Sequence, residues 1–400
     1  MRILIANDGF GDAGGVQSYL DRVTSGLAAR GHAVAILHRD GQPAAFAAAA
    51  TYRFPQFSVA HGGLETTLAA VHHWGPDVCF SHNMDRLDID RQLADRWPVV
   101  KFMHGYLGTC IGGQKQHRFP MAQPCERAFG PACLALYGPR HCGQLSPGRF
   151  VDQYRWATRQ RGLFARYRSI VVASAHMKRE YVRNGIDPGR IDVNPLFPTH
   201  DQTPRPADVG LDHRSVVFLG RMTVLKGVDV LIRAVAGASS RLGSAIALVV
   251  IGDGPQRTPC ERLATRLGVD ATFCGWLKGD ERWDWVRGAT LLALPSTWPE
   301  PFGLVGLEAA ALGVPAIAFD VGGVREWLSS ETGYLVPADP PRASRFADVL
   351  VDAFRHPAAL VAMRTRALAT AREMSLDRHL DRLEPLLAAD RQSYAHLTGR

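Results

Sequence analysis

Pro295-Ser296-Thr297-Trp298-Pro299-Glu300-Pro301-Phe302-Gly303-Leu304-Val305-Gly306-Leu307-Glu308 follows the apolar run Leu291-Leu292-Ala293-Leu294 and leads into a helical pattern opening near Leu304. A helix that starts just after a buried strand presents backbone N–H groups without intrahelical partners, backed by the helix dipole, and this suits a phosphate. Gly303 lets a ligand come close to the backbone. Glu300 stands before the helix and Glu308 about one turn inside it, so both carboxylates can face one bound molecule. Taken alone, the stretch is equally a capped helix carrying two ordinary acids.

It does not stand alone. Gly220-Arg221-Met222-Thr223-Val224-Leu225-Lys226-Gly227 follows another apolar run, Val216–Leu219, and brings two cations to the same kind of strand end. Arg can grip phosphate bidentately and Lys supplies a compact charge. Gly252-Asp253-Gly254-Pro255 makes a tight turn after Ala247–Ile251, where a base or ribose can lie against the backbone.

Apolar runs alternate with helical periodicity along the whole chain, as in parallel sheets covered by helices. Strands are expected at 3–6, 33–38, 78–82, 99–104 and 170–174, then at 216–219, 247–251, 291–294 and 315–319. Helices are expected at 16–30 and 148–168. Four hundred residues exceed one ordinary core. The expected architecture is therefore α/β, with two Rossmann-like doubly wound domains at about 1–198 and 212–375. The Pro-rich stretch 199–211 reads as a linker, and 376–400 as helix packing back across the junction. Ligands of such sheets bind beyond the carboxyl ends of the strands, so the cleft between the domains is the expected site. Residues 105–147 break the rhythm with many Gly and Pro and four of the seven cysteines.

The composition, 46% hydrophobic and 21% charged, is that of a soluble globular protein. No apolar run approaches the roughly 20 residues that span a bilayer, and the N-terminus turns polar at Asn7-Asp8; a cytoplasmic protein is expected. The formal net charge of +8 is concentrated between Arg140 and Arg190, where eleven Lys/Arg face three acids. Such a patch attracts phosphates, an acidic glycan or an anionic membrane surface; a solvated helix face beside a donor-phosphate site is the plainer reading. No helix-turn-helix, zinc-finger or RNA-recognition signature supports nucleic acid.

The element Glu300-Pro-Phe-Gly-Leu-Val-Gly-Leu-Glu308, preceded by Gly220-Arg221…Lys226-Gly227 and Gly252-Asp-Gly-Pro255, resembles the family-4 retaining glycosyltransferases of the GT-B fold. The resemblance extends over nearly the whole chain and is most specific in residues 216–340. It implies transfer of a sugar from a nucleotide-diphosphate sugar (UDP- or GDP-linked) to a glycan, lipid-linked or small-molecule acceptor, with retention of anomeric configuration and no metal required for catalysis. It implies that Arg221 and Lys226, with Gly220, neutralise the donor diphosphate. Glu300 would hold hydroxyls of the sugar, while the backbone at Phe302, Gly303 and Leu304 meets sugar and β-phosphate. Glu308 would bind the ribose, and the base would lie near Gly254 and Trp276. Gly14-Gly15 resembles the family's glycine loop after the first strand, and His104 its histidine near the donor sugar's C6. Ser174 and Lys178 fall on a matching Ser-x-x-x-Lys stretch. Asn194-Pro195 departs from the Asn-Gly frequent in relatives. A donor-binding module without transfer activity, or a nucleotide-sugar epimerase or hydrolase, remains as an alternative.

Two patterns point elsewhere. Gly9-Phe10-Gly11-Asp12-Ala13-Gly14 spells a dinucleotide fingerprint, but a dehydrogenase has no place for the 295–308 constellation. Asp88-Ile89-Asp90 spells the D-x-D of metal-dependent transferases, yet it lies in a polar helical stretch and reads as solvated surface. Cys110, Cys125, Cys133 and Cys142, separated by 14, 7 and 8 residues, with His104, His117 and His141 nearby, suit either a structural zinc or buried thiols. The C-x-x-C pairs that mark a strong zinc site are missing.

Overall fold

The computed structural model describes residues 1–9, 14–39, 53–143, 147–200, 203–204 and 213–388. Most of the expected linker and part of the 9–14 glycine pattern lie outside these residues.

Strands β1 (Arg2–Asn7), β2 (Ala33–His38), β3 (Gln56–Ser58), β4 (Val78–Ser81) and β5 (Val99–Met103) come first. A two-residue hairpin, β6 (Gln116–His117) with β7 (Gln123–Pro124), interrupts them before β8 (Ser169–Val172) and β9 (Ile191–Val193). The seven long-range strands form one parallel sheet in the order β3-β2-β1-β4-β5-β8-β9. The second half supplies β10 (Ser215–Leu219), β11 (Ala247–Ile251), β12 (Ala271–Gly275), β13 (Leu291–Leu294), β14 (Ala316–Phe319) and β15 (Gly333–Val336). These make a second parallel sheet, β12-β11-β10-β13-β14-β15. In both, the order reverses at the first strand, leaving a crevice at the strand ends. Strands β4, β5, β8, β13 and β14 are buried at every residue, as their mostly apolar runs demand, with Lys101 of β5 buried among them.

The helix after β1 runs Gly15–Ala29 and buries Tyr19, Leu20, Val23 and Leu27 at i, i+3/i+4 spacing. The helix expected at 148–168 is Pro147–Leu163; it ends early because Phe164 and Tyr167 turn into the core and Arg168 N–H bonds the carbonyl of Val99. Strands β3, β12 and β15, too short or too mixed to stand out as apolar runs, complete the sheet edges.

The last described helix, Leu376–Ala388, packs on the N-terminal half. His379 Nδ1 lies 2.8 Å from the carbonyl of Pro195, and its Nε2 lies 2.9 Å from the hydroxyl of Tyr19. A carbonyl can only accept, so Nδ1 carries the proton and Tyr19 donates to Nε2. Arg30 reaches Asp381 and Glu384 on the same helix at 2.7 and 3.0 Å. Asn194 donates to the carbonyl of His379 at 3.1 Å, so the Asn194-Pro195 segment is tied to the returning helix.

One expectation is overturned here. Asp90 is not solvated surface: it is fully buried, while Asp88 is exposed. The helix Leu87–Arg96 turns Ile89, Asp90, Leu93 and Ala94 inward together. Asp90 there pairs with buried Lys101 of β5 and accepts from Ser81 and Tyr167.

Candidate active site

The stretch 295–308 leaves β13 as a tight loop, and its helix begins at Leu304 as expected. Gly303 precedes it at φ 79°, a left-handed conformation that an L side chain rarely adopts. Glu300 is buried, and its Oε1 gathers three donors: Lys226 Nζ at 2.7 Å, Trp298 Nε1 at 3.0 Å and the Ser296 hydroxyl. Gly322 supports the same residue from below; a Cβ there would lie 2.1 Å from the Glu300 carbonyl oxygen.

The two cations diverge. Lys226 holds Glu300 while its side chain stays 29% exposed, which leaves the ammonium two further donors for a ligand. Arg221 is exposed and its guanidinium has no partner among the described residues. The loop that carries both packs on the 295–308 loop, where Thr297 N–H bonds the carbonyl of Leu225 at 2.9 Å. Gly220 N–H bonds Ile251, Gly252 N–H bonds Gly275, and Gly254 packs on the Met222 carbonyl, so the ends of β10, β11 and β12 form one surface. Trp276, 49% exposed, stands at its edge.

Across the cleft, a Cβ on Gly15 would lie 3.8 Å from Leu304 Cδ2, which places the Gly14-Gly15 turn opposite the helix start. Phe302 beneath is buried, and Trp327 Nε1 donates to its carbonyl at 2.8 Å. Ser174 caps the helix Ala175–Arg183 and also donates to the Pro301 carbonyl at 2.7 Å, joining the two halves. Lys178, one turn further, is half-buried. Gln116 adds a second tie, donating to Thr297 at 2.8 Å.

Glu308 is buried, and its carboxyl pKa is pushed up by that burial. Its Oε1 accepts from Thr199 at 2.6 Å, and its carbonyl meets His200 at 3.0 Å. A ribose at Glu308 therefore competes with the Thr199 hydroxyl. No sequence signal pairs residues 199 and 308; the contact exists because the chain crosses between the halves at that point.

His104 follows β5 and is half-buried. Burial, with the Lys101 ammonium and His379 nearby, holds its pKa down to about 3. It is neutral at physiological pH.

The four cysteines Cys110, Cys125, Cys133 and Cys142 do line one cavity of about 320 Å³, together with His117 and Tyr137. All four are free thiols, and burial with the neighbouring sulfurs pushes Cys142 up to about 11. Among the described residues, no group of three or more His, Cys, Asp or Glu side chains is arranged to hold a metal ion. Much of the basic stretch is also engaged internally. Arg161, Arg168 and Arg190 donate to carbonyls, and Arg166 and Arg183 pair with Asp95 and Glu180. Among the described residues no helix is long and apolar enough to cross a membrane.

Two parallel sheets facing across a cleft define a GT-B glycosyltransferase fold, shared with the crystal structure of Anabaena Alr3699/HepE in complex with UDP and glucose. That likeness has a TM-score of 0.70 at 18% identity, over 97% of this chain and 100% of the other. Residues 13–197 match the family described as Glycosyltransferase Family 4, and residues 213–356 that described as Glycosyl transferases group 1. The chain belongs to the family-4 glycosyltransferases. Among relatives, the D-inositol 3-phosphate glycosyltransferase of Rhodococcus opacus is 38% identical over 218 residues, 50% of this chain and 48% of that protein. The protein of the same name from Nocardioides sp. is 28% identical over 87% of this chain and 80% of its own length. The chain spans about half the length of the curated relatives that it matches at 34–38% identity.

Proposed function

We propose that the protein is a retaining glycosyltransferase that uses a nucleotide-diphosphate sugar. The observation that carries this reading is the joining of Glu300 and Lys226 beside the helix start at Leu304, with unpartnered Arg221 on the same loop system. A sugar hydroxyl would exchange with one of the donors on Glu300. The diphosphate would lie between the helix N-terminus, Arg221 and the two free donors of Lys226, and the ribose would reach Glu308. The acceptor oxygen forms its bond to the anomeric carbon on the face from which the diphosphate oxygen leaves, and that oxygen takes the acceptor proton. The protein contributes position and charge stabilisation; Arg221 and Lys226, rather than a divalent metal, carry the developing charge. UDP in a solved structure of this fold makes a UDP-sugar the first donor to test, ahead of a GDP-sugar. The inositol phosphate relatives make a phosphorylated polyol the first acceptor, ahead of a glycan or lipid-linked one in polysaccharide or glycoconjugate assembly. The surroundings proposed are cytoplasmic.

Calorimetry separates the two carboxylates. Glu300→Gln is expected to impair transfer and leave affinity for the free nucleotide diphosphate nearly intact, whereas Glu308→Gln weakens the nucleotide itself. Equal losses of nucleotide affinity in both variants would contradict the assignment. Proton NMR of early product is expected to show the anomeric configuration of the donor; an inverted product would reject the mechanism while leaving the fold untouched.

A further inference from the structure

Beyond the ends of β4 and β5, His82 and His104 stand side by side, with His82 Nδ1 3.0 Å from His104 Nε2 and ring centroids 5.2 Å apart. His82 is fully buried among the rings of Phe80, Tyr19 and Phe102, at 4.3, 5.9 and 6.0 Å. Its other nitrogen, Nε2, is buried with no hydrogen-bond partner. An orphaned buried nitrogen is destabilising, and a phenyl ring would occupy this apolar pocket without that penalty. The fold carries a histidine here regardless. The Nδ1 of half-buried His104, by contrast, is neither bonded within the protein nor sealed from solvent.

Burial holds the pKa of His82 well below the usual histidine range, with His104, Lys101 and His379 adding to it, so both rings are neutral. Two neutral imidazoles in contact share one proton, and its position fixes both outer nitrogens. If His82 Nδ1 carries it, His82 Nε2 is a bare lone pair and His104 shows an N–H at Nδ1. If His104 Nε2 carries it, an N–H on His82 is stranded in the core. Stranded buried donors are rarer than unsatisfied acceptors. The Lys101 ammonium, paired with Asp90, also donates to the His82 carbonyl, and a cation so close disfavours a second outward hydrogen. His379 is committed to Pro195 and Tyr19 and leaves the pair alone.

We propose that His82 is a positioning residue that locks His104 in the tautomer with N–H at Nδ1, so that a hydrogen-bond donor faces the donor sugar. This rests on the proposed donor site, with His104 beside the sugar as the family resemblance implies.

Nitrogen-15 NMR of histidine-labelled protein tests it, with His104 expected to be protonated at Nδ1 and bare at Nε2. In His82→Phe the His104 signals should average between tautomers. Turnover should fall about tenfold, the loss of one ordered neutral hydrogen bond in the transition state. Affinity for free nucleotide diphosphate should not change, and the melting temperature should hold or rise. His82→Asn, whose amide nitrogen can stand where Nδ1 does, should restore both the tautomer and most of the turnover. A wild-type His104 protonated at Nε2, or unchanged tautomer and turnover in folded His82→Phe, overturns the proposal. His104→Ala distinguishes the two layers: undiminished transfer in that variant removes His104 from the sugar, whereas slowed transfer there with normal His82→Phe removes only the lock.

Discussion

Arg221→Ala and Lys226→Ala should each lower turnover by about 10²–10³-fold, the loss expected when a preorganised charge is removed from the place where negative charge develops. The two variants should differ in how they fail. Arg221 has no partner among the described residues, so its loss leaves the resting site as it was. Lys226 also holds Glu300 at 2.7 Å, so Lys226→Ala releases that carboxylate to Ser296 and Trp298 alone and disturbs sugar placement along with phosphate charge. Steady-state kinetics with donor and acceptor varied separately should show Arg221→Ala acting on turnover, and Lys226→Ala on turnover and sugar-donor affinity together. Arg221→Ala should barely shift the unfolding midpoint, because its side chain is exposed, whereas Lys226→Ala should lower it, because buried Glu300 loses its cation. A folded double variant with unchanged kinetics would falsify the clamp.

Lys101→Met is expected to have the largest effect on stability. Lys101 and Asp90 are among the most deeply buried charges of the N-terminal sheet, at 3% and 0% side-chain exposure. Removing one partner strands the other in a medium that cannot solvate it, which costs about 3–5 kcal/mol. Ser81 and Tyr167 would still donate to Asp90, and this should bring the loss toward the lower end. Adding Asp90→Asn should recover part of it, because the uncompensated charge disappears. Urea titrations of the two single variants and the double variant measure that coupling; additive losses would mean that the pair is not coupled in the folded state.

What could be read from the sequence was the part governed by local pattern. Mostly apolar runs marked the central strands, and glycine with cations or carboxylates just after those runs marked the loops of the C-terminal half. The helix start near Leu304 was legible because strand, turn residues and helical periodicity succeed one another within twenty residues. The rest depends on contacts between distant segments. Nothing in residues 88–90 announces a partner at Lys101, and a lone acid in a polar helix is ordinarily solvated. Thr199 beside Glu308, Gln116 beside Thr297 and His82 beside His104 arise only when strand ends are brought together. The cysteines, clustered in sequence, also share a cavity, but sequence spacing alone does not say how four sulfurs are arranged around it.

The helix Leu376–Ala388 lies against the first helix of the chain so closely that a methyl group on Gly26 would come within 2.7 Å of Leu380. The N-terminal half therefore emerges from the ribosome unfinished: Tyr19 lacks the ring it donates to, and the groove beside Gly26 stands open until some 350 further residues have been made. Completion of this half waits on residues 376–388, because a contact of such sequence separation closes late. A premature stop anywhere in the second half would release not one sound domain and one damaged one, but a first half with an uncovered apolar seam, a substrate for chaperones and proteases.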